Sequence, residues 1–169
     1  MVKLPVRRSQ ASYLRNFIFG VEDSLVSTVG LLSGVAIAGV AERTVVLAGV
    51  VLIFVEAFSM ATGSFLAEYS TAEYVAQRKT SARRPLIDAI IMFFSYFVTG
   101  FLPLLPYTFL PIQVAFWSSI GVTLVALFVL GAVAAKVSKI HPFRNGLKAL
   151  IIGGLAVLLG VVIGQFFSL

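Results

Sequence analysis

Four carboxylates fall inside long apolar runs or at their edges. Glu22 and Asp23 interrupt the run 16–41, Glu56 interrupts the run 44–67, and Glu68 closes it. A charged side chain near a bilayer centre costs roughly 2.5–3.5 kcal/mol on insertion scales, so such residues usually face a bundle interior, a polar cavity or an ion path. Met60 follows Glu56 by one helical turn, and Leu52, Glu56, Met60, Ser64 and Glu68 recur at every fourth position along one stripe. Carboxylate oxygens supply charge for a divalent ion, and a thioether favours transition metals over magnesium and calcium. A carboxylate from each of two neighbouring helices, with a thioether, makes a small cation site. Asp23, Glu56 and Met60 form its predicted centre, with Glu22 and Glu68 at the edges and Glu73 beyond them. A metal-free carboxylate in low dielectric holds a proton, and metal binding expels it. Exchange of metal for protons is the expectation that follows.

Each residue also has a plainer reading. Glu22 can pair with an interfacial arginine such as Arg15, and Met60 can fill a core. Glu68 and Glu73 can form a solvated helix end. Asp88, next to Arg83 and Arg84, sits where an acid favours a helix N-terminus in any case, with metal entry as the alternative.

The elements that must position these groups are membrane helices. The chain has 169 residues, of which 59% are hydrophobic and 12% charged, with mean hydropathy +1.02. A soluble domain carries about 25% charged residues. Five apolar runs are each long enough to cross a bilayer core of roughly 30 Å: about Leu14 to Val40, Thr44 to Ser70, Pro85 to Leu105, Gln113 to Lys136 and Arg144 to Phe167. The expected fold is an all-α integral membrane protein of one transmembrane domain, residues 1–169. Only Ala41–Arg43 separates the first two spans, which predicts a tight antiparallel pair. Glu68, Tyr69, Glu73 and Tyr74 suggest that the second helix continues past the bilayer. Pro103, Pro106 and Pro111 are expected to mark the turn between spans three and four.

Charge sets the orientation. Of 13 basic residues only Arg43 falls in a loop of the other parity. The remainder precede span one or lie between spans two and three or four and five, which places those segments and the N-terminus in the cytoplasm and the C-terminus outside. This distribution accounts for the net charge of +6 without nucleic acid. The first apolar stretch is too long for a signal-peptide core and contains two acids, so it reads as a retained span. There is no cysteine and one histidine, His141. That excludes disulfides, thiolate metal sites and a polyhistidine site within one subunit. No HExxH motif and no serine–histidine pair support an enzyme, and no permanently bound cofactor is expected. Gly30 with Gly34, and Ala156 with Gly160 and Gly164, form small-residue stripes suited to close helix packing.

These motifs resemble the vacuolar iron transporter family, which includes yeast and plant iron/manganese transporters. Gly20, Val21, Glu22, Asp23, Ser24 and Leu25 are similar to the family's G-x-x-D-G-L, with serine in place of the second glycine. Glu56–Ser70 is similar to its S-M-x-x-G-x-Y-L-S signature, with Phe65 at the tyrosine position. Phe101–Tyr107 and His141–Gly154 are similar to its third-span end and fifth-span start. The likeness runs in order from Tyr13 to the C-terminus. It implies a five-helix homodimer that exports Fe(II), and often Mn(II), from the cytosol, with protons as counter-ion. The membrane would be the cell membrane in a prokaryote and a vacuolar-type membrane in a eukaryote. Asp23 and Met60 carry over as pathway residues. The family's helix-two glutamate stands eight residues before the methionine, where this chain has Leu52; here Glu56 stands four before it. Only the short loop around Gln77–Arg84 occupies the place of the glutamate-rich cytoplasmic domain of plant and parasite members.

The expected function is therefore secondary transport of a divalent transition metal. The alternatives are a metal-responsive or structural membrane scaffold whose acids pair with each other, and an uncoupled metal channel.

Overall fold

A computed structural model describes residues 4–168, with side chains described from Gln10 onward. Lys3 lies outside the described residues, as do the side chains of Arg7 and Arg8. Five α-helices make up the fold: α1 (Leu4–Ile37), α2 (Glu42–Ala76), α3 (Arg83–Phe109), α4 (Ile112–Val137) and α5 (Pro142–Phe166). No strand occurs among the described residues. Even the 25 residues of α5 reach about 38 Å at 1.5 Å per residue, and all five helices are long and apolar enough to cross a membrane. The protein is an integral membrane protein.

Each helix ends for a local reason. Gly39, with φ of 80°, lets the chain reverse between α1 and α2. Gln77 closes α2 in the left-handed conformation. Leu110 is extended, as a residue before proline prefers, and Pro111 then caps α4. Pro142 occupies the first turn of α5, where its missing N–H is not needed.

The central helix is α1. It is the most buried of the five, α3 is next, and α2, α4 and α5 turn most of their surface outward. The pairing of α1 with α3 has a constant register. Asn16 bonds Asp88 and Ser24 bonds the Tyr96 carbonyl, each pair 72 residues apart in sequence. Between them Gly20 faces Met92. These pairs climb in step, so α1 and α3 run parallel. Likewise α5 runs parallel to α1, with Gly30 against Ala156 and Gly34 against Gly160. The helices α2 and α4 return in the opposite direction. The basic segments therefore gather at one end of the bundle.

Two expectations are corrected. Pro103 and Pro106 lie inside α3 and do not mark the turn, which comes at Leu110–Pro111. Proline interrupts a helix because it removes one amide donor and crowds the preceding turn. In a membrane bundle neighbouring helices can hold such a segment in place. Here Pro103, Leu104 and Tyr107 are buried, and Ser119 of α4 donates to the Pro103 carbonyl at 2.6 Å.

The second correction concerns α1 and α2, which are antiparallel but not a tight pair. The main partner of α2 is α3. Gly100 admits Ile53, and Phe54 meets Phe97 edge to face at 5.0 Å. At the end away from the basic segments α1 and α2 do meet, through Leu32 against Gly49, in a core shared with Leu104 and Tyr107. Toward the basic end they part, and a groove opens between them.

Candidate functional site

The predicted stripe on α2 faces α1. Met60, Ser64 and Glu68 line a cavity of about 620 Å³ at the basic end, opposite Arg15, Asn16 and Phe19 of α1. Leu52, at the other end of the stripe, lines a second cavity of about 500 Å³ with Ser27, Gly30 and Gly34 of α1 and with α5. Asp23 lies four residues after Phe19 and four before Ser27. Glu56 lies four residues before Met60 and four after Leu52. On both helices the acid is thus the turn between the two cavities. Asp23 and Glu56 are close enough to feel each other's charge, and Tyr96 of α3 feels both. The Tyr96 hydroxyl shares a hydrogen bond of 2.7 Å with Ser27.

The other predicted residues are placed as follows. Glu68 stands at the mouth of the first cavity and pairs with Arg15. Arg15 is therefore engaged across the mouth and not with Glu22, the partner expected from the sequence. Glu22 is half-buried beside Asp23, around the helix from the cavity wall. Glu73 is half-buried on the last turns of α2, beyond the cavity and one turn from Tyr69. Among the described residues no three His, Cys, Asp or Glu side chains converge as a metal cage. What the seam offers is one carboxylate on each helix midway, with a thioether and a further carboxylate on the approach.

Three residues outside the predicted set shape this approach. Asp88 is fully buried in α3 and accepts a hydrogen bond from the Asn16 side chain at 2.8 Å; its second oxygen has no partner. Asn16 in turn accepts from Ser64 of α2 at 3.2 Å, so one carboxamide ties three helices together. Met92, one turn past Asp88, lines the same cavity. A sequence signal for these residues exists in retrospect: Asn16, Gly20 and Ser24 recur at every fourth position, as do Asp88, Met92 and Tyr96.

Five spanning helices, with a carboxylate on each of α1 and α2 between the cavities, describe an integral membrane protein. The chain belongs to the VIT family, which it matches over residues 14–86 and 75–165. It is similar to vacuolar iron transporter 1 of Oryza sativa subsp. japonica, 38% identical over 79 residues, which cover 46% of this chain and 31% of that relative. It is also similar to vacuolar iron transporter homolog 1 of Arabidopsis thaliana, 27% identical over 88% of this chain and 80% of the relative. An uncharacterized protein of Methanocaldococcus jannaschii is 27% identical over 85% of this chain and 83% of its own length. The match to the rice protein spans about a third of that relative's length.

Proposed function

We propose that this chain is a secondary transporter that exports a divalent transition metal, Fe(II) or Mn(II), from the cytosol in exchange for protons, working as a homodimer. The observation that supports this reading is that Asp23 and Glu56 each stand one helical turn from residues lining the basic-end cavity, Phe19 and Met60, and one turn from Ser27 and Leu52, which line a second cavity formed mainly by α1 and α5. A cation reaching the pair from one cavity can leave by the other. The names of the rice and Arabidopsis relatives support iron as the cargo. The basic end is then the cytoplasmic end by its charge. Glu68 and Glu73 on α2 gather cations there, Met60 passes them inward, and Glu22 flanks Asp23. The membrane is the cell membrane or a vacuolar-type one.

Proton exchange follows from the same chemistry. A carboxylate in a low-dielectric membrane interior needs a counter-ion or a proton. A divalent cation supplies that counter-ion, and protons replace it once it has left.

The test is uptake of Fe(II) and of Mn(II) into proteoliposomes with an imposed pH gradient and a pH-sensitive dye inside. Metal-dependent proton movement is the expected result. Metal flux without proton flux would leave an uncoupled channel, and no flux of either metal would remove the transport reading.

A further inference from the structure

Arg43 is the single one of 13 basic residues in a loop of the other parity. It stands in the first turn of α2, where the helix dipole disfavours a cation. Among the described residues no carboxylate lies within ion-pair distance of it. Neither orientation in the membrane nor the helix end accounts for this charge.

Arg43 lines a cavity of about 420 Å³ between the start of α2 and the end of α3, and Tyr107 lines it from α3. The Tyr107 side chain is fully buried, and its hydroxyl has no hydrogen-bond partner. Buried hydroxyls are nearly always bonded, because an unmade bond costs the full desolvation of the group. Ala41 provides no side-chain cap for α2, so the first amides of that helix also lack acceptors. The cavity thus gathers donors: a guanidinium, a phenol and helix amides. Its acceptors are Glu42 and Thr108. Thr108 donates its own proton to the Leu105 carbonyl at 2.7 Å, which leaves its oxygen free to accept. Val46, Leu47 and Val50 continue the wall as an apolar strip, on the same face of α2 as Arg43.

We propose that this cavity binds one zwitterionic phospholipid in the leaflet opposite the basic end. The phosphate takes Arg43, the Tyr107 hydroxyl and the free amides of α2. The headgroup amine takes Glu42 and Thr108, and one acyl chain lies along the apolar strip. The chemical reason is charge complementarity. One guanidinium and one carboxylate leave the lining neutral, which matches a headgroup carrying both signs and not an anionic one. An apolar helix from a second copy would satisfy neither Arg43 nor Tyr107. The site is independent of the transport reading and of the α1–α2 seam.

The experiment is native mass spectrometry of the full chain, delipidated in detergent and titrated separately with phosphatidylethanolamine and phosphatidylglycerol of the same acyl chains. The expected wild-type result is one phosphatidylethanolamine retained per chain, in preference to phosphatidylglycerol. Arg43→Gln and Tyr107→Phe should each weaken retention about tenfold, the effect of losing one hydrogen bond to a charged group. Without lipid, Tyr107→Phe should melt no lower than the wild type, because its hydroxyl has no bond to lose. Equal retention of the two lipids, retention of neither, or wild-type retention in either variant overturns the site. So does a lipid-free loss of stability in Tyr107→Phe, which would mean that the hydroxyl is satisfied within the protein. Melting that rises with protein concentration and not with lipid makes a second copy the occupant and overturns it as well.

Discussion

The side-chain amide of Asn16 donates to Asp88 across 2.8 Å, and this single bond determines which face of the carboxamide looks into the α1–α2 groove. It also joins the most buried helix to a carboxylate that has no exposure to solvent. The stability and the chemistry of the basic end therefore meet in one pair.

Asp88→Ala should lower stability by about 1–3 kcal/mol, because it strands the buried amide of Asn16 without an acceptor. Asp88→Asn keeps an acceptor oxygen in place and should lose less. Thermal unfolding in detergent, followed by the fluorescence of Trp117, separates the two. Equal loss in both variants would mean that the hydrogen bond is not what Asp88 contributes.

Asp23→Asn should reduce metal flux by on the order of tenfold or more, which corresponds to about 1.4 kcal/mol per factor of ten. Met60→Ala should reduce it as well, with the larger effect on Fe(II) than on Mn(II), since the harder ion depends less on sulfur. Initial rates in proteoliposomes at matched protein content are the measurement. Wild-type rates in both variants would remove these residues from the path.

Arg15→Gln releases Glu68 at the cavity mouth. An ion pair exposed to this degree is worth about 0–1 kcal/mol, so the melting temperature should hardly move. The freed carboxylate should lower KM for metal, and Glu68→Gln should raise it. Both effects should shrink at high ionic strength, where exposed charges are screened. KM values that track the melting temperature would point to a structural role for the pair.

Gly160→Ala should destabilise by about 1–3 kcal/mol, the usual effect of overpacking. A Cβ there would fall on the Gly30 carbonyl oxygen. Gly154→Ala on the same helix meets nothing within 4 Å and should be neutral or slightly stabilising through helix propensity. Paired unfolding curves of the two variants check the contrast.

Much of this architecture can be read before any coordinates. Five apolar runs of bilayer length define five helices, since little else satisfies backbone groups in lipid. The spacing Leu52–Glu56–Met60–Ser64–Glu68 identifies the face of α2 that turns toward α1, because side chains four apart share a face. What the sequence leaves open concerns partners far apart in the chain. Three residues between α1 and α2 suggest a close pair, yet a short loop constrains only helix ends. Gly100 and Phe97 make α3 the better partner for α2 along most of its length. Pro103 and Pro106 break a helix by local rules, yet both lie inside α3, where Pro103 is buried and its carbonyl accepts from Ser119 of α4. Asn16, Asp88 and Met92 gain meaning only from the constant register of α1 on α3, which no single helix carries in its own sequence.

The contact between α1 and α5 has a consequence for assembly. Glycine and alanine have no rotamers to lose, whereas burying a leucine costs about 0.5–1 kcal/mol in side-chain entropy. Between Gly30 and Gly34 on one helix and Ala156, Gly160 and Gly164 on the other, main chain meets main chain. The first and last spans can therefore dock without freezing side-chain motion. In lipid, where burying apolar surface provides no drive between helices, such an entropically inexpensive fit lets the two ends of the chain find each other.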